Sequence, residues 1–204
     1  MFITLEGLDG SGKTSLGVAL ATRLSEAGVP VTTTLAPGGT PTGLLFRELL
    51  LGVDDPITLQ PMTTLLLFLA DRVEHCVAIR DALGKGYTVL CDRFSDSTIA
   101  YQGAMGFGRP MLDALDEMVC AGLRPALTLL LDASPFELEM RKGKDDRFER
   151  EQLDFHVKVR ANYKALVADC PDRFIVLDAT KDQGELLDEA FAAVMTHRAK
   201  VLAS

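Results

Sequence analysis

The sequence predicts an α/β fold built on a parallel sheet of five strands with helices on both faces. Five apolar, strand-like runs recur along the 204 residues, and helical periodicity fills the segments between them. Two runs, TVLCD at 88–92 and ALTLLLD at 126–132, are almost continuously hydrophobic, as expected of strands covered on both faces. Because right-handed crossovers join successive strand–helix units, the helices are expected on both sides of one sheet, in three layers.

The predicted elements follow one another in regular alternation. The first helix carries Leu16, Leu20 and Leu24 on one face, and Gly28 is the expected residue beyond its carboxyl end. No proline- or glycine-rich linker divides the chain, so one domain is expected over 1–204. Strands are predicted at 2–6, 31–35, 88–92, 126–132 and 173–178, and further helices at 41–52, 61–83, 111–122, 135–142, 151–169 and 184–199.

Bulk composition argues against several classes of protein. The chain has 21 Lys and Arg against 29 Asp and Glu, a net charge of −8, so no nucleic-acid polymer is expected as a partner. No apolar run reaches the roughly 20 residues that cross a bilayer, so no membrane partner is expected either. The amino terminus enters a strand without a basic leader, which predicts a cytoplasmic protein. Four scattered cysteines without a C-x-x-C pattern predict reduced, mostly buried thiols.

Residues 7–14 read GLDGSGKT, the G-x-x-x-x-G-K-T pattern, between an apolar strand and an amphipathic helix. In this context the backbone N–H groups cradle phosphates, Lys13 reaches the outer phosphates, and the Thr14 hydroxyl can ligate Mg²⁺. A glycine-rich turn with a purely structural role is the alternative. The pattern therefore predicts a nucleoside triphosphate site in a P-loop NTPase fold. Its nucleotide-binding residues are Gly7, Leu8, Asp9, Gly10, Ser11, Gly12, Lys13, Thr14 and Ser15.

The class of NTPase stays open on this motif alone. A GTPase would carry N-K-x-D, whereas the single asparagine, Asn162, precedes Tyr163. A motor or AAA-type ATPase is compatible with TLLLD, which ends at Asp132 like a Walker B strand, although such machines are usually larger. Small size and several well-placed arginines favour a kinase of a small phosphorylated acceptor.

A second motif, DRFSDSTIAYQG at 92–103, follows the third predicted strand, at the sheet edge where doubly wound folds bind ligands. Asp92 can help hold Mg²⁺ through water, and the forked guanidinium of Arg93 can clamp an acceptor phosphate. A capped helix start, with Asp96 or Ser97 as the N-cap, is a structural interpretation compatible with this role. Hydrogen-bonding side chains follow one helical turn apart, at Ser97, Thr98, Tyr101 and Gln102.

With these motifs the chain resembles the thymidylate kinase family. EGLDGSGKT, APGGT, LFLADR, DRFSDSTIAYQG, RPALTLLLDAS and DRFERE occur in the order and spacing of that family, from about residue 2 to 180. The resemblance implies transfer of the γ-phosphoryl group of ATP to dTMP, giving dTDP for dTTP synthesis, by a homodimer. Two alternatives stay open: a P-loop kinase of another nucleoside monophosphate, and a nucleotide-binding relative without turnover.

The resemblance also implies residues that bind the acceptor. Phe68 and Arg72 stand four residues apart on one helix face, and the matching family pair stacks on thymine and reads its O4. Without the resemblance, a core Phe68 and a surface ion pair between Arg72 and Asp71 or Glu74 would be favoured. Arg47, in LFRELLL, matches the arginine that the family carries in the following helix.

Asp9 is an acid in the middle of a predicted phosphate-binding loop. Its side chain can project out of the loop toward the acceptor sugar, where related kinases place an acid near the 3′-hydroxyl. A solvent-facing Asp9 without a role is the alternative.

The basic stretch MRKGKDDRFERE at 140–151 is predicted to be a mobile loop flanked by helices, and it resembles the family's ATP lid, at about 141–150. The P-loop carries no arginine, so the lid is expected to supply the catalytic charge, with Arg141 and Arg147 as the best candidates. A solvated basic surface is the alternative. The predicted catalytic set is Lys13, Arg93, Arg141, Arg147 and Asp9.

Two departures from the family pattern put the acceptor in question. Family members usually read TREPGGT after the second strand, whereas Leu35 and Ala36 replace the arginine and the acid here. The lid is also several residues short between Arg141 and Asp146. Either change can weaken dTMP binding or alter the acceptor, unless other side chains compensate.

Overall fold

A computed structural model of the chain describes residues 1–52, 59–142 and 147–203, with the side chains at 140–152 and 201–203 outside that description. The described strands are β1 (Phe2–Gly7), β2 (Val31–Leu35), β3 (Thr88–Asp92), β4 (Leu127–Asp132) and β5 (Phe174–Asp178). The described helices are α1 (Lys13–Glu26), α2 (Pro41–Leu51), α3 (Pro61–Gly84), α4 (Ser95–Ala104), α5 (Arg109–Cys120), α6 (Pro135–Lys142), α7 (Arg147–Asp169) and α8 (Gln183–Ala203).

The five strands form one parallel sheet in the order β2-β3-β1-β4-β5, which confirms the predicted α/β fold. β1 is central, and its register pairs Leu5 with Asp92 of β3 and Gly7 with Leu131 of β4. The loops that follow β1, β3 and β4 therefore start at the same edge of the sheet. That edge carries the sequence motifs of interest.

Helices cover both faces of the sheet, as the alternation of β1 shows. Ile3 and Leu5 join a large core cluster that includes Leu20 of α1, whereas Phe2 joins a second cluster with Ile79 of α3. Side chains alternate between faces along a strand, so β1 contributes to both halves of the core. No helix of the described residues is long and apolar enough to cross a membrane.

A buried ion pair ties α4 to the sheet. Arg173, just before β5, donates from Nη1 to Asp96 Oδ2 at 2.6 Å and from Nη2 to Asp96 Oδ1 at 2.8 Å. Thr128 of β4 donates to Asp96 Oδ2 at 3.3 Å and accepts from Arg173 at 2.8 Å. Asp96 is thus fully hydrogen-bonded in the core, as a buried charge requires.

Two local expectations of the sequence are corrected, and two are confirmed. Helix α6 covers 135–142 as predicted, but α7 begins at Arg147 rather than at 151, since arginine and glutamate favour helix even where no apolar stripe is present. The loop expected between these helices, at 143–146, lies outside the described residues. The N-cap of α4 is Phe94, and both Asp96 and Ser97 lie inside the helix with their side chains bonded elsewhere. Gly28 follows α1 with a φ of +77°, as predicted.

Candidate active site

The loop between β1 and α1 has the geometry of an anion site. Gly7 has a φ of +141°, and a Cβ there would lie 2.4 Å from the Leu131 carbonyl oxygen, so only glycine allows this approach to β4. Gly12, the N-cap of α1, adopts a left-handed conformation and offers no side chain to the first N–H groups of the helix. Free N–H groups at a helix amino terminus bind phosphate.

The side chains of the next two residues frame this loop. Lys13 is buried, and its Nζ donates to the Leu8 carbonyl oxygen at 2.7 Å. Burial, with the charge of Arg93 close by, lowers the pKa of Lys13 to about 8. Thr14 Oγ1 donates to Asp92 Oδ2 at 2.6 Å, which joins the start of α1 to the end of β3.

A cavity of about 570 Å³ opens in front of this loop. Thr14 and Asp92 offer the hard oxygen atoms that Mg²⁺ prefers, and the described residues contain no group of three or more His, Cys, Asp or Glu side chains able to hold a metal. Mg²⁺ commonly takes only one or two protein ligands, because it keeps several waters and shares substrate phosphates. The cavity is lined by Asp9, Gly10, Gly12, Lys13, Thr14, Ser15, Leu35, Ala36, Arg47, Asp92 and Arg93.

Arg93 lies at the centre of a hydrogen-bond network beside this cavity. Its Nη2 donates to Asp9 Oδ1 at 2.6 Å and to the Tyr101 hydroxyl at 3.1 Å. Its Nη1 donates to Ser97 Oγ at 3.0 Å and to the Tyr163 hydroxyl at 3.3 Å. Arg93 also has a φ of +69°, a left-handed conformation that costs a non-glycine residue about 1–3 kcal/mol. The surroundings therefore hold both the backbone and the guanidinium in one arrangement.

Asp9 projects from the phosphate-binding loop toward Arg93. It accepts hydrogen bonds from Arg93 and from the Tyr101 hydroxyl, while 61% of its side chain stays exposed. Burial acts to raise the pKa of Asp9, but the charges of Arg93 and Lys13 and the two hydrogen bonds outweigh it, so its pKa is lowered. Asp9 is therefore ionised at neutral pH and faces two cavities.

The second cavity, of about 280 Å³, is mainly apolar and adjoins the first. Arg72 is buried within its wall, with the guanidinium 4.1 Å from the Phe94 ring centroid and Nη2 3.5 Å from Thr98 Oγ1. Its Nη1 has no hydrogen-bond partner within the described part of the chain. The interpretation of Arg72 as half of a surface ion pair is therefore wrong. Phe68, Tyr101 and Gln102 also line this cavity.

The loop between β2 and α2 forms part of the wall of both cavities. Arg47 Nη1 donates to the Pro37 carbonyl oxygen at 2.8 Å, and the Gly38 N–H donates to Asp71 Oδ1 at 3.0 Å. Leu35 and Ala36 of the same segment line the first cavity. The two residues that depart from the family pattern thus border the phosphate-binding region directly.

Sequence reasoning missed two groups of residues at this site. Tyr163 of α7 enters the Arg93 network, although nothing near it in the sequence indicates a functional role. A smaller cavity of about 100 Å³ adjoins the phosphate-binding loop and includes Ser11, Ala179 and Lys181. The position of the latter two after β5, at the ligand-bearing edge, is the signal that could have indicated them.

The predicted lid residues contribute no described side chain. Arg141 lies in α6 and Arg147 begins α7, but both side chains, and residues 143–146 entirely, lie outside the description. Their role as catalytic residues stays a prediction.

A glycine-rich loop between a central parallel strand and a helix, with a hydroxyl and a carboxylate beside it, defines a P-loop nucleotide-binding protein. A second cavity next to the loop, lined by arginines, is what a kinase of a small phosphorylated acceptor requires. A family model described as "Thymidylate kinase" matches residues 5–190, and the chain belongs to the thymidylate kinase family.

Named relatives cover nearly the whole chain. The "Thymidylate kinase" of Deinococcus radiodurans is 44% identical over 199 residues, which are 95% of this chain and 96% of the relative. That of Synechococcus sp. (strain JA-3-3Ab) is 45% identical over 181 residues, 88% of this chain and 87% of the relative. That of Trichlorobacter lovleyi is 38% identical over 211 residues, 98% and 99% of the two chains.

Proposed function

We propose that the protein transfers the γ-phosphoryl group of ATP to dTMP, giving dTDP, a step in dTTP synthesis. Membership of the thymidylate kinase family supports the activity. One geometric observation carries it: Asp9, Ala36 and Arg93 line both the cavity in front of the phosphate-binding loop and the adjoining apolar cavity. A nucleotide base in the second cavity would therefore place its phosphate where the donor phosphates end.

The donor side uses residues 7–15. The loop N–H groups and Lys13 would bind the β- and γ-phosphates. Thr14 and, through water, Asp92 would hold Mg²⁺. Mg²⁺ held there would supply positive charge that offsets the negative charge of the donor phosphates. The small cavity with Ala179 and Lys181 adjoins the loop at Ser11 and Gly12 and would take part of the adenosine portion.

The acceptor side uses the apolar cavity. Phe68 would stack on the base, and the unpartnered Nη1 of buried Arg72 would donate to a base carbonyl, a group that dTMP offers and dCMP replaces with an amine. Thr98, Tyr101 and Gln102 line the same cavity. Thr98 and Gln102 would hydrogen-bond the base edge, and Tyr101 would border the sugar. Further residues proposed to serve the acceptor are Asp9, Arg47, Arg93 and Ser97.

The chemistry requires position and charge rather than a strong base. The attacking dTMP oxygen is already ionised at neutral pH, so no general base is needed. Arg93 would hold the acceptor phosphate in line with the donor. Lys13 would neutralise charge that builds on the transferring group. Asp9, which holds Arg93 from the other side, would face the acceptor 3′-hydroxyl.

Closure of the site is needed because water competes as an acceptor. We infer that residues 141–150 form a lid on a single domain covering 1–204, with Arg141 and Arg147 supplying charge to the transferring phosphoryl group. Arg147→Ala should then lower kcat more than it weakens ATP binding. A change confined to KM would make the lid a clamp without a catalytic part.

The protein is also proposed to act as a homodimer in the cytoplasm. Met62, Leu66, Val73 and Val77 form an exposed apolar stripe along α3, which supports self-association. The four cysteines are free thiols, as is usual in a reducing compartment. Light scattering after size-exclusion chromatography should give twice the chain mass for the wild type. The double variant Leu66→Glu/Val73→Glu should give the chain mass, and a monomeric wild type would refute the dimer.

A coupled ADP-release assay against a panel of nucleoside monophosphates tests the function. Specific dTMP turnover is expected, with Lys13→Ala as the inactive control. Turnover of another monophosphate would favour a different acceptor, for which Leu35 and Ala36 in the cavity wall are the supporting observation. Nucleotide binding without turnover of any acceptor would make the protein a non-catalytic relative.

A further inference from the structure

Glu6 of β1, the first residue of EGLDGSGKT, is a buried carboxylate to which neither the sequence analysis nor the proposed reaction assigns a role. Its side chain has no solvent exposure, and the described residues include no lysine or arginine in an ion pair with it. It accepts from the Phe94 N–H at 2.7 Å, from Ser97 Oγ at 2.5 Å and from the Tyr163 hydroxyl at 2.8 Å. A charge placed here without a direct counter-ion is costly, so its presence calls for a reason.

Two hydroxyl groups connect Glu6 to Arg93, and this connection explains the buried carboxylate. The Ser97 and Tyr163 hydroxyls that donate to Glu6 are the same two that accept from Arg93 Nη1, at 3.0 Å and 3.3 Å. Each hydroxyl has one proton and two lone pairs. The two hydroxyl oxygens also lie 2.9 Å apart, so one of them can donate to the other while the second donates to Glu6. In either arrangement the protons point away from Arg93, and lone pairs remain for the guanidinium.

Burial and the nearby charge of Asp96 raise the pKa of Glu6, against the charge of Arg93 and the hydrogen bonds that the carboxylate accepts. In its ionised form Glu6 only accepts, and it then sets the direction of both hydrogen bonds that hold one edge of Arg93.

The backbone around Arg93 is fixed from the same strand. The Arg93 N–H donates to the Leu5 carbonyl oxygen at 3.0 Å, and the next N–H, that of Phe94, donates to Glu6. The left-handed φ of Arg93 is thus held between two hydrogen bonds to consecutive β1 residues. Glu6 fixes both the main-chain turn and the side-chain direction of the arginine.

We propose that Glu6 is a positioning residue that acts through Ser97 and Tyr163 to aim Arg93 at the junction of the two cavities. Glu6, Ser97 and Tyr163 form a triad that holds one edge of the guanidinium. The Nη2 of Arg93, on the other edge, faces Asp9 and the space where donor and acceptor phosphates would meet. Ser97 then serves the acceptor through Arg93. The inference rests on the proposed function only in that it supposes Arg93 to bind phosphate; the geometry of the triad does not depend on the acceptor.

Glu6→Gln tests the polarity of the network with little change in shape. The amide of glutamine donates where the carboxylate accepted, so at least one hydroxyl must turn its proton toward Arg93 and lose that hydrogen bond. Steady-state kinetics with ATP and dTMP should show kcat lowered by about 10–100-fold, less than the roughly 100–1,000-fold loss on removing an aimed donor, because Arg93 is misaligned and not removed. The KM for ATP should change by less than about threefold, because the phosphate-binding loop keeps its own contacts.

A double-mutant cycle separates positioning from a merely structural role. In the background of Ser97→Ala/Tyr163→Phe, Glu6→Gln should lower kcat by less than about twofold further, because residues acting in one chain are not additive. Asp116→Asn is the matched control, since Asp116 is a buried carboxylate that contacts Cys120 and Arg124, outside the network. Its kcat should equal that of the wild type.

Two outcomes would overturn the inference: a folded Glu6→Gln variant with wild-type kcat, or full additivity of the two sets of substitutions. If Glu6→Gln does not fold, the milder Tyr163→Phe and Ser97→Ala variants decide, and wild-type kcat in both refutes it.

A readout without substrate keeps this test apart from the test of the proposed function. In ¹⁵N spectra of the nucleotide-free protein, the Arg93 guanidinium N–H signals should be protected from exchange in the wild type and in Asp116→Asn. They should lose that protection in Glu6→Gln. This result is expected even if dTMP turns out not to be the acceptor, and unchanged protection would refute the positioning role.

Discussion

Arg93 Nη2 and Asp9 Oδ1 lie 2.6 Å apart, and this ion pair joins the phosphate-binding loop after β1 to the turn after β3. The pair sits where the two cavities meet, so an incoming acceptor phosphate would compete with Asp9 for the same guanidinium. Asp9 is more than half exposed and can yield, whereas Arg93 is held on its other edge by Ser97 and Tyr163. The Arg93 guanidinium is therefore held in position to bind an anion even before an anion arrives.

Replacing Arg93 with lysine should keep the charge and lose the function. A lysine ammonium cannot donate in a planar fork to Asp9, Ser97 and a phosphate together. We expect kcat to fall by about 100-fold or more in Arg93→Lys. Arg109→Lys, at an exposed ion pair on α5, is the control and should stay within about twofold of the wild type. An Arg93→Lys enzyme with half the wild-type kcat would show that charge alone is sufficient.

Arg72→Met should weaken binding of the acceptor dTMP and leave binding of the donor ATP nearly unchanged. Methionine fills part of the buried volume but removes the unpartnered Nη1 of an arginine that lines the apolar cavity. Loss of a hydrogen bond from a charged donor should raise the KM for dTMP by about 10–100-fold, with the KM for ATP changed by less than about threefold. Arg80→Met, on the same helix but bonded to the Cys120 and Ala121 carbonyl oxygens, is the matched control. Equal changes in both KM values would remove the base-reading role from Arg72.

The sequence was informative wherever one local pattern determines the structure. β2 and β3 match their predicted ranges because short apolar runs bounded by turns define strands, and the phosphate-binding loop is a local motif. The sequence could not predict the Glu6–Ser97–Tyr163 triad. Its members are separated by 66 to 157 positions, and their contact depends on how α4 packs on α7 and β1. Glu6 alone is one polar residue in a strand, and Tyr163 is one aromatic in an amphipathic helix.

Lys13 should take up a proton when ATP binds at alkaline pH. Burial lowers its pKa to about 8 in the free protein, and the negative phosphates favour the charged form and raise that pKa again. Near pH 8.5, ATP binding should therefore take up about 0.5–0.8 proton. Isothermal titration calorimetry in two buffers of different ionisation enthalpy measures this number. Lys85→Met, at an exposed lysine, should leave the uptake unchanged, and Lys13→Met should abolish it along with much of the affinity.

The same shift in pKa predicts the pH dependence of folding stability. The pKa of Lys13 is about 8 when folded, against its ordinary value of 10.5 in the unfolded chain, so between these values the unfolded chain binds more protons than the folded one. The free energy of unfolding contributed by Lys13 is therefore lowest below pH 8 and rises as pH increases from 8 toward 10.5. Without nucleotide, Lys13→Met should be more stable than the wild type at pH 7, and this difference should shrink by pH 10. A difference that is constant with pH would mean that Lys13 is not desolvated.

The buried pair of Asp96 and Arg173 should contribute far more to stability than an exposed pair does. The Asp96 side chain is 3% exposed and accepts both guanidinium hydrogen bonds, whereas Asp81 and Lys85 form a pair with both side chains more than half exposed. Asp96→Ala leaves Arg173, whose side chain is only 20% exposed, without its counter-ion and should lower the free energy of unfolding by about 3–5 kcal/mol. Asp81→Ala should change it by less than about 1 kcal/mol. Urea denaturation of both variants at neutral pH measures the two values, and similar losses would mean that water reaches Arg173 and replaces the carboxylate.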